Sequence, residues 1–169
     1  TLAVKSDTKA EALGLKIQNV AEASAGAGAV NIKVETSADH AEDRIHSLVS
    51  ATLDVNGLAV NSDADVKLAE NTATHKASLT LNKDGLATNG ATSLQSPLKL
   101  ENTFSGSLDA SKGAFNTDTK GEFADMKIAH AMSLTGTLSS IAFNNNAEAV
   151  VSEGTSYTHS IVLDVHDYT

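Results

Sequence analysis

The chain has no cysteine and no tryptophan, one proline, and only two tyrosines and four phenylalanines in 169 residues. Without cysteine there is no disulfide framework, no thiolate zinc site and no cysteine nucleophile. With aromatics at 4%, the interior must be built from Ala, Val, Leu, Ile, Ser and Thr. Such side chains fill a wide sheet enclosure poorly, so internal space is expected. No apolar run approaches the roughly 18 residues of a membrane helix, and no signal peptide is recognisable. Two tyrosines without tryptophan cannot supply the aromatic girdles of an outer-membrane barrel. No Asn-x-Ser/Thr acceptor for an N-glycan occurs. Cations are also scarce: twelve Lys and Arg against 21 Asp and Glu give a net charge of −9 with the signs interspersed, which argues against a nucleic-acid surface.

What the chain does have is alternation. From Arg44 the apolar residues fall on odd numbers, Ile45, Val49, Ala51, Leu53 and Val55; after Asn56-Gly57 they fall on even ones, Leu58, Val60, Ala64, Val66 and Leu68. Asn-Gly between two period-2 runs predicts a type I′ hairpin with Val55 opposite Leu58, which keeps both runs on one face. The odd phase returns at Ala73, Ala77, Leu79 and Leu81, as a third antiparallel strand requires.

The rest reads similarly. Leu2 and Val4 open a short strand, and Leu13, Leu15 and Ile17 favour a strand over a helical stripe. Ser24 to Gly28 is a break, Val30, Ile32 and Val34 a strand, and Ser37 to Asp43 a polar connection. Asp84-Gly85 turns the chain, and Pro97 marks a boundary or an edge. Further turns are predicted at Ser111-Lys112-Gly113, near Lys120-Gly121, and at Asn144-Asn145-Asn146, with a last clean strand through Tyr157, Ile161, Leu163 and Val165. The sum is a single all-β domain over residues 1–169: an antiparallel meander of about eleven amphipathic strands, closed or nearly closed into a barrel with an apolar interior. A barrel of that size does not fill its lumen with side chains alone, so a hydrophobic guest is expected inside.

The inward apolar face would then bind the guest through Val49, Leu53, Val60, Val66, Leu79, Leu100, Phe104, Phe115, Phe123, Met126, Ile128, Leu134, Ile161 and Leu163. By parity His75, His130 and His159 share that face and could hold the polar end of a guest, a metal or a tetrapyrrole, or simply bond to neighbouring Ser, Thr or carbonyl groups. His46 and His166 point the other way, and His40 lies in the polar connection. The histidine spacings match no metal motif, Asp63 and Asp65 lack the rest of a calcium loop, and Gly26 and Gly28 form no dinucleotide fingerprint. No nucleophile, base and orienting group can be assembled from spacing, so no enzyme is predicted.

The stretches Leu79-Thr80-Leu81-Asn82-Lys83-Asp84-Gly85-Leu86, Leu98-Lys99-Leu100-Glu101-Asn102 and Phe123-Ala124-Asp125-Met126-Lys127-Ile128-Ala129-His130, the last followed by Ser133-Leu134, resemble the large lipid transfer protein family. The likeness is to the amphipathic β-strand region of vertebrate apolipoprotein B. It extends back to Arg44-Ile45-His46 and covers about three quarters of the chain. The resemblance implies a non-catalytic, secreted lipoprotein component whose strands bind lipid, with this chain a fragment or processed piece of a larger protein. No Lys/Arg-rich segment is present, so receptor binding is not carried over. Two readings follow: carriage of a hydrophobic small molecule or lipid inside the sheet, or a structural strand module that binds a lipid surface without a discrete pocket. Acyl lipids lead as guests because of the family; a sterol, a carotenoid and a tetrapyrrole stay open.

Overall fold

A computed structural model describes residues 2–152 and 154–166. Among them are twelve β-strands and no helix: β1 Leu2–Ala12, β2 Leu15–Gly26, β3 Ala29–His40, β4 Asp43–Asp54, β5 Gly57–Leu68, β6 Asn71–Asn82, β7 Gly85–Gln95, β8 Leu98–Leu108, β9 Lys112–Phe123, β10 Met126–Thr137, β11 Ser140–Ser152 and β12 Thr155–His166. The chain divides between Lys83 and Asp84 into two compact units, β1 to β6 and β7 to β12. Within each unit successive strands pair antiparallel in chain order, so each is a six-stranded meander. Neither unit closes on itself to form the expected barrel, because its first and last strands each pair inside the unit with a single neighbour. No described hydrophobic side chain is fully buried, so neither unit has the predicted apolar interior.

Directly paired residues share a face, and the registers sort the side chains by charge. One face of the first unit carries rows such as Leu2, Ala25, Val30, Leu53, Leu58 and Leu81. Of the strand-borne Lys, Arg, Asp and Glu in this unit, only Asp43, at the end of β4, shares that face; the rest lie opposite. In the second unit the corresponding face carries no described charged side chain.

The connections explain where expectation and structure part. Leu53 pairs with Leu58 and Asp54 with Gly57, so the β4–β5 loop is Val55-Asn56 and the register slips by two residues from the predicted Val55 to Leu58 pair. The Asp54 carboxylate accepts from the backbone N–H of Asn56 (2.7 Å) and Gly57 (3.2 Å), which draws the aspartate into the turn. A slip of two preserves the face; a slip of one would have inverted it. The pattern expected at Asn56-Gly57, positive φ at both central residues, is found instead at Leu13-Gly14 (52° and 82°) and Ala27-Gly28 (51° and 80°). Leu13 is therefore a turn residue, not a member of an alternating run, and it is exposed.

Several predicted turns are strand. β3 runs through the supposed polar connection to His40, which pairs with Asp43. Lys112 and Gly113 open β9, after a turn in which the Asp109 carboxylate accepts from Ser111 N–H and Oγ–H and from Lys112 N–H. Gly121 sits inside β9 because it makes room: a Cβ there would lie 2.7 Å from Ile128 Cγ1, so the missing side chain seats its partner. The phase change falls at Ala124-Asp125 instead, between the paired Phe123 and Met126. Asn144 to Asn146 are interior to β11, where cross-strand pairing overrides their turn propensity. These shifts raise the strand total from about eleven to twelve.

Gly57 has φ 136°, and a Cβ on it would fall on the Leu81 carbonyl oxygen. Gly57→Ala is expected to cost about 2 to 4 kcal/mol, combining strain with displacement of β6. Gly28→Ala, at φ 80° with open space around it, should cost only about 1 kcal/mol. Urea midpoints of the two variants measure the difference.

Candidate functional site

The uncharged faces are the surfaces for which the folded units provide no cover. Each unit is roughly 30 Å across its strands and 35 Å along them, an area on the order of 1,000 Å². Side chains there remain substantially exposed: Leu53 54%, Ile32 48%, Ile128 52%, Phe123 47%. Monomeric soluble proteins seldom leave contiguous apolar patches beyond a few hundred Å².

All fourteen apolar residues picked out by alternation stand on these faces, Val49, Leu53, Val60, Val66 and Leu79 in the first unit. In the second are Leu100, Phe104, Phe115, Phe123, Met126, Ile128, Leu134, Ile161 and Leu163. They line an open face and not the inside of either unit. Among the hollows in the structure, one of about 410 Å³ is lined mainly by Lys99, Glu101, Lys120, Glu122, Lys127 and Glu148, and one of about 490 Å³ includes Lys5, Glu22 and Lys33. Both hollows belong chiefly to the charged faces.

Each uncharged face is crossed by one polar row, which alternation alone did not reveal. In the first unit the registers align Thr8, Asn19, Thr36, Ser47, Ala64 and His75. In the second they align Thr92, Asn102, Thr119, His130, Ala147 and His159. The three histidines chosen from sequence thus all stand on these rows. Asn19 Nδ2 donates to Thr36 Oγ1 at 2.7 Å, and Asn102 Nδ2 donates to Thr119 Oγ1 at 2.7 Å and Thr117 Oγ1 at 3.1 Å. His130 Nε2 lies 2.7 Å from Asn145 Oδ1, and His159 stacks on Tyr157 with ring centroids 6.5 Å apart. His130 and His159 flank β11 and so stand about 10 Å apart, too far to share a metal ion. Among the described residues no group of three or more His, Asp or Glu is placed to hold one.

The opposite face of the first unit is an ion-pair lattice. Lys5 meets Glu22 at 2.7 Å and Lys33 meets Glu35 at 2.9 Å; His46 lies between Glu35 (3.3 Å) and Asp65 (3.1 Å). The hydrogen bond and charge of Lys5 hold the Glu22 carboxyl below its usual range, and Lys33 together with His46 does the same to Glu35. Glu22 in turn raises the Lys5 ammonium. A carboxyl with a depressed folded value stabilises fully above its unfolded value and loses that contribution as pH falls through the folded one. The urea midpoint should therefore decline as pH drops below about 4.5, by a small amount because the pairs are half-exposed. Glu22→Gln with Glu35→Gln should flatten that decline.

A family model described as apolipoprotein B100, beta-belt, matches residues 1–159. Among curated proteins, none matches the chain.

Proposed function

The chain belongs to the apolipoprotein B100 beta-belt family, and from that premise we propose that it is a non-catalytic strand module that lies on a lipid surface with its uncharged faces toward the lipid. The observation that carries this reading is the charge sorting: one face of the second unit holds no described charged side chain, and one face of the first holds only Asp43. Removing an apolar area on the order of 1,000 Å² from water contributes on the order of 20 kcal/mol per unit before ordering costs. The fourteen apolar residues above, from Val49 to Leu163, would make the contact, and the ion pairs would stay in water. Membership of the family supports a secreted setting within a larger lipoprotein.

Enclosed carriage of one hydrophobic guest is the less supported reading, since each unit leaves its apolar face open and the hollows at Lys99 to Glu148 and around Glu22 are charged. Flotation with phosphatidylcholine-coated triolein emulsion tests the proposal. The protein is expected in the buoyant fraction, and recovery in the infranatant at all lipid concentrations would overturn it.

A further inference from the structure

We propose that proton uptake by His130 and His159 gates the lipid contact of the second unit: neutral, the two imidazoles let its uncharged face lie on lipid, and protonated they detach it. This rests on the lipid-surface reading above and concerns how that contact is regulated.

The second unit sorts its ionisable side chains, and histidine is the exception. Every described Lys, Asp and Glu on β7 to β12 stands on the opposite face, whereas His130 and His159 share the uncharged one. Histidine is the side chain whose charge ordinarily changes between pH 5 and 8. The face therefore excludes permanent charge and admits a charge that depends on pH. Along their own strands both histidines sit among apolar side chains, Ile128 and Met132 on β10 and Tyr157 and Ile161 on β12.

Nothing that faces them can neutralise an imidazolium. His130 Nε2–H donates to Asn145 Oδ1 at 2.7 Å, so Nδ1 keeps the lone pair and is the atom that gains the proton. From β9 His130 faces Thr117, Thr119 and Gly121, and from β11 Asn145, Ala147 and Ala149, none of them an anion. His159 faces the same three residues of β11, and beside it on β12 the stacked Tyr157 is the one other ionisable group. Phenols are uncharged at neutral and acid pH. His46, on the charged face of the first unit, is placed in the opposite way, between the carboxylates of Glu35 and Asp65.

Two magnitudes decide whether a proton is carried into lipid or left behind. A cation at a lipid-facing strand position weakens binding by about 30- to 1,000-fold. An imidazole with its midpoint near pH 6.5 becomes about tenfold scarcer in its neutral form between pH 7.5 and 5.5. The second factor is the smaller, so each histidine sheds its proton on contact. The free protein then binds more protons than the lipid-bound one, and adsorption falls on acidification by about tenfold per histidine over that interval.

Flotation of the full chain with phosphatidylcholine-coated triolein emulsion, at pH 7.5 and 5.5 and constant ionic strength, tests the gate. The affinity of the unmodified protein should fall by about 100-fold, and protein bound at pH 7.5 should leave on a jump to pH 5.5 and float again on return. His130→Gln with His159→Gln should match the unmodified protein within about twofold at pH 7.5 and exceed it by about 100-fold at pH 5.5; His130→Gln alone should recover about tenfold. Equal affinity of the unmodified protein at both pH values overturns the proposal whatever the variants do. An acid loss that His130→Gln and the double variant share in full overturns the assignment to these histidines. Failure of the unmodified protein to float at pH 7.5 would instead bring down the lipid-surface reading, and this inference with it.

Discussion

Phe104→Lys weakens adsorption to a triolein emulsion by about 30- to 1,000-fold, whereas Ser105→Lys, one residue further along the same strand, leaves it within about twofold. The first figure follows from the roughly 2 to 4 kcal/mol that a cation costs on a lipid-facing strand position deep in the apolar layer. The second follows from strand geometry, since successive side chains project to opposite faces. Phe104 stands midway along β8 on the uncharged face, between Gly90 on β7 and Thr117 on β9. Ser105 lies between Asn89 and Asn116 on the face that bears Lys99 and Lys120. Flotation of the two variants beside the unmodified protein measures both numbers. Equal losses would mean that adsorption does not depend on which face meets the lipid.

Without lipid, the same surfaces are expected to drive self-association. In buffer the protein is expected to sediment as a broad distribution of large species at micromolar concentration, and added phosphatidylcholine should convert it to lipid-bound particles of defined density. An exposed apolar area on the order of 1,000 Å² per unit exceeds what isolated proteins tolerate and matches what stable protein interfaces bury. Phe104→Lys should raise the fraction of small species in buffer while lowering the fraction bound to lipid, because one contact surface serves both outcomes. A sharp monomer boundary in lipid-free buffer would show that the faces are satisfied in some other way.

Alternation made the faces legible from sequence because period-2 placement survives errors in turn position. Alternation puts Val49, Val60 and Leu79 on one side even though the register it predicts at Asn56-Gly57 differs from the observed one by two residues, since a slip of two conserves the side. The turns themselves were less readable. Asn144 to Asn146 carry strong turn propensity, yet Asn145 bonds His130 on one neighbouring strand and Asn146 accepts from Ser160 on the other, contacts that no local window contains. Gly121 looked like a break because its value lies in the Ile128 side chain packed over it. Alternation does not report closure, because amphipathicity marks a face to be buried without saying what buries it; lipid and an opposing sheet leave the same pattern. The polar rows were hidden for a related reason: Asn102, Thr119 and His130 look like unrelated interruptions until the registers bring them side by side.

Pairing in each unit links only strands adjacent in sequence, through connections of two or three residues. Loop closure is therefore inexpensive at every step, and each hairpin can form on the one before it as the polypeptide leaves the ribosome. Such a topology allows assembly by serial addition, with each new strand extending the same apolar face of its unit.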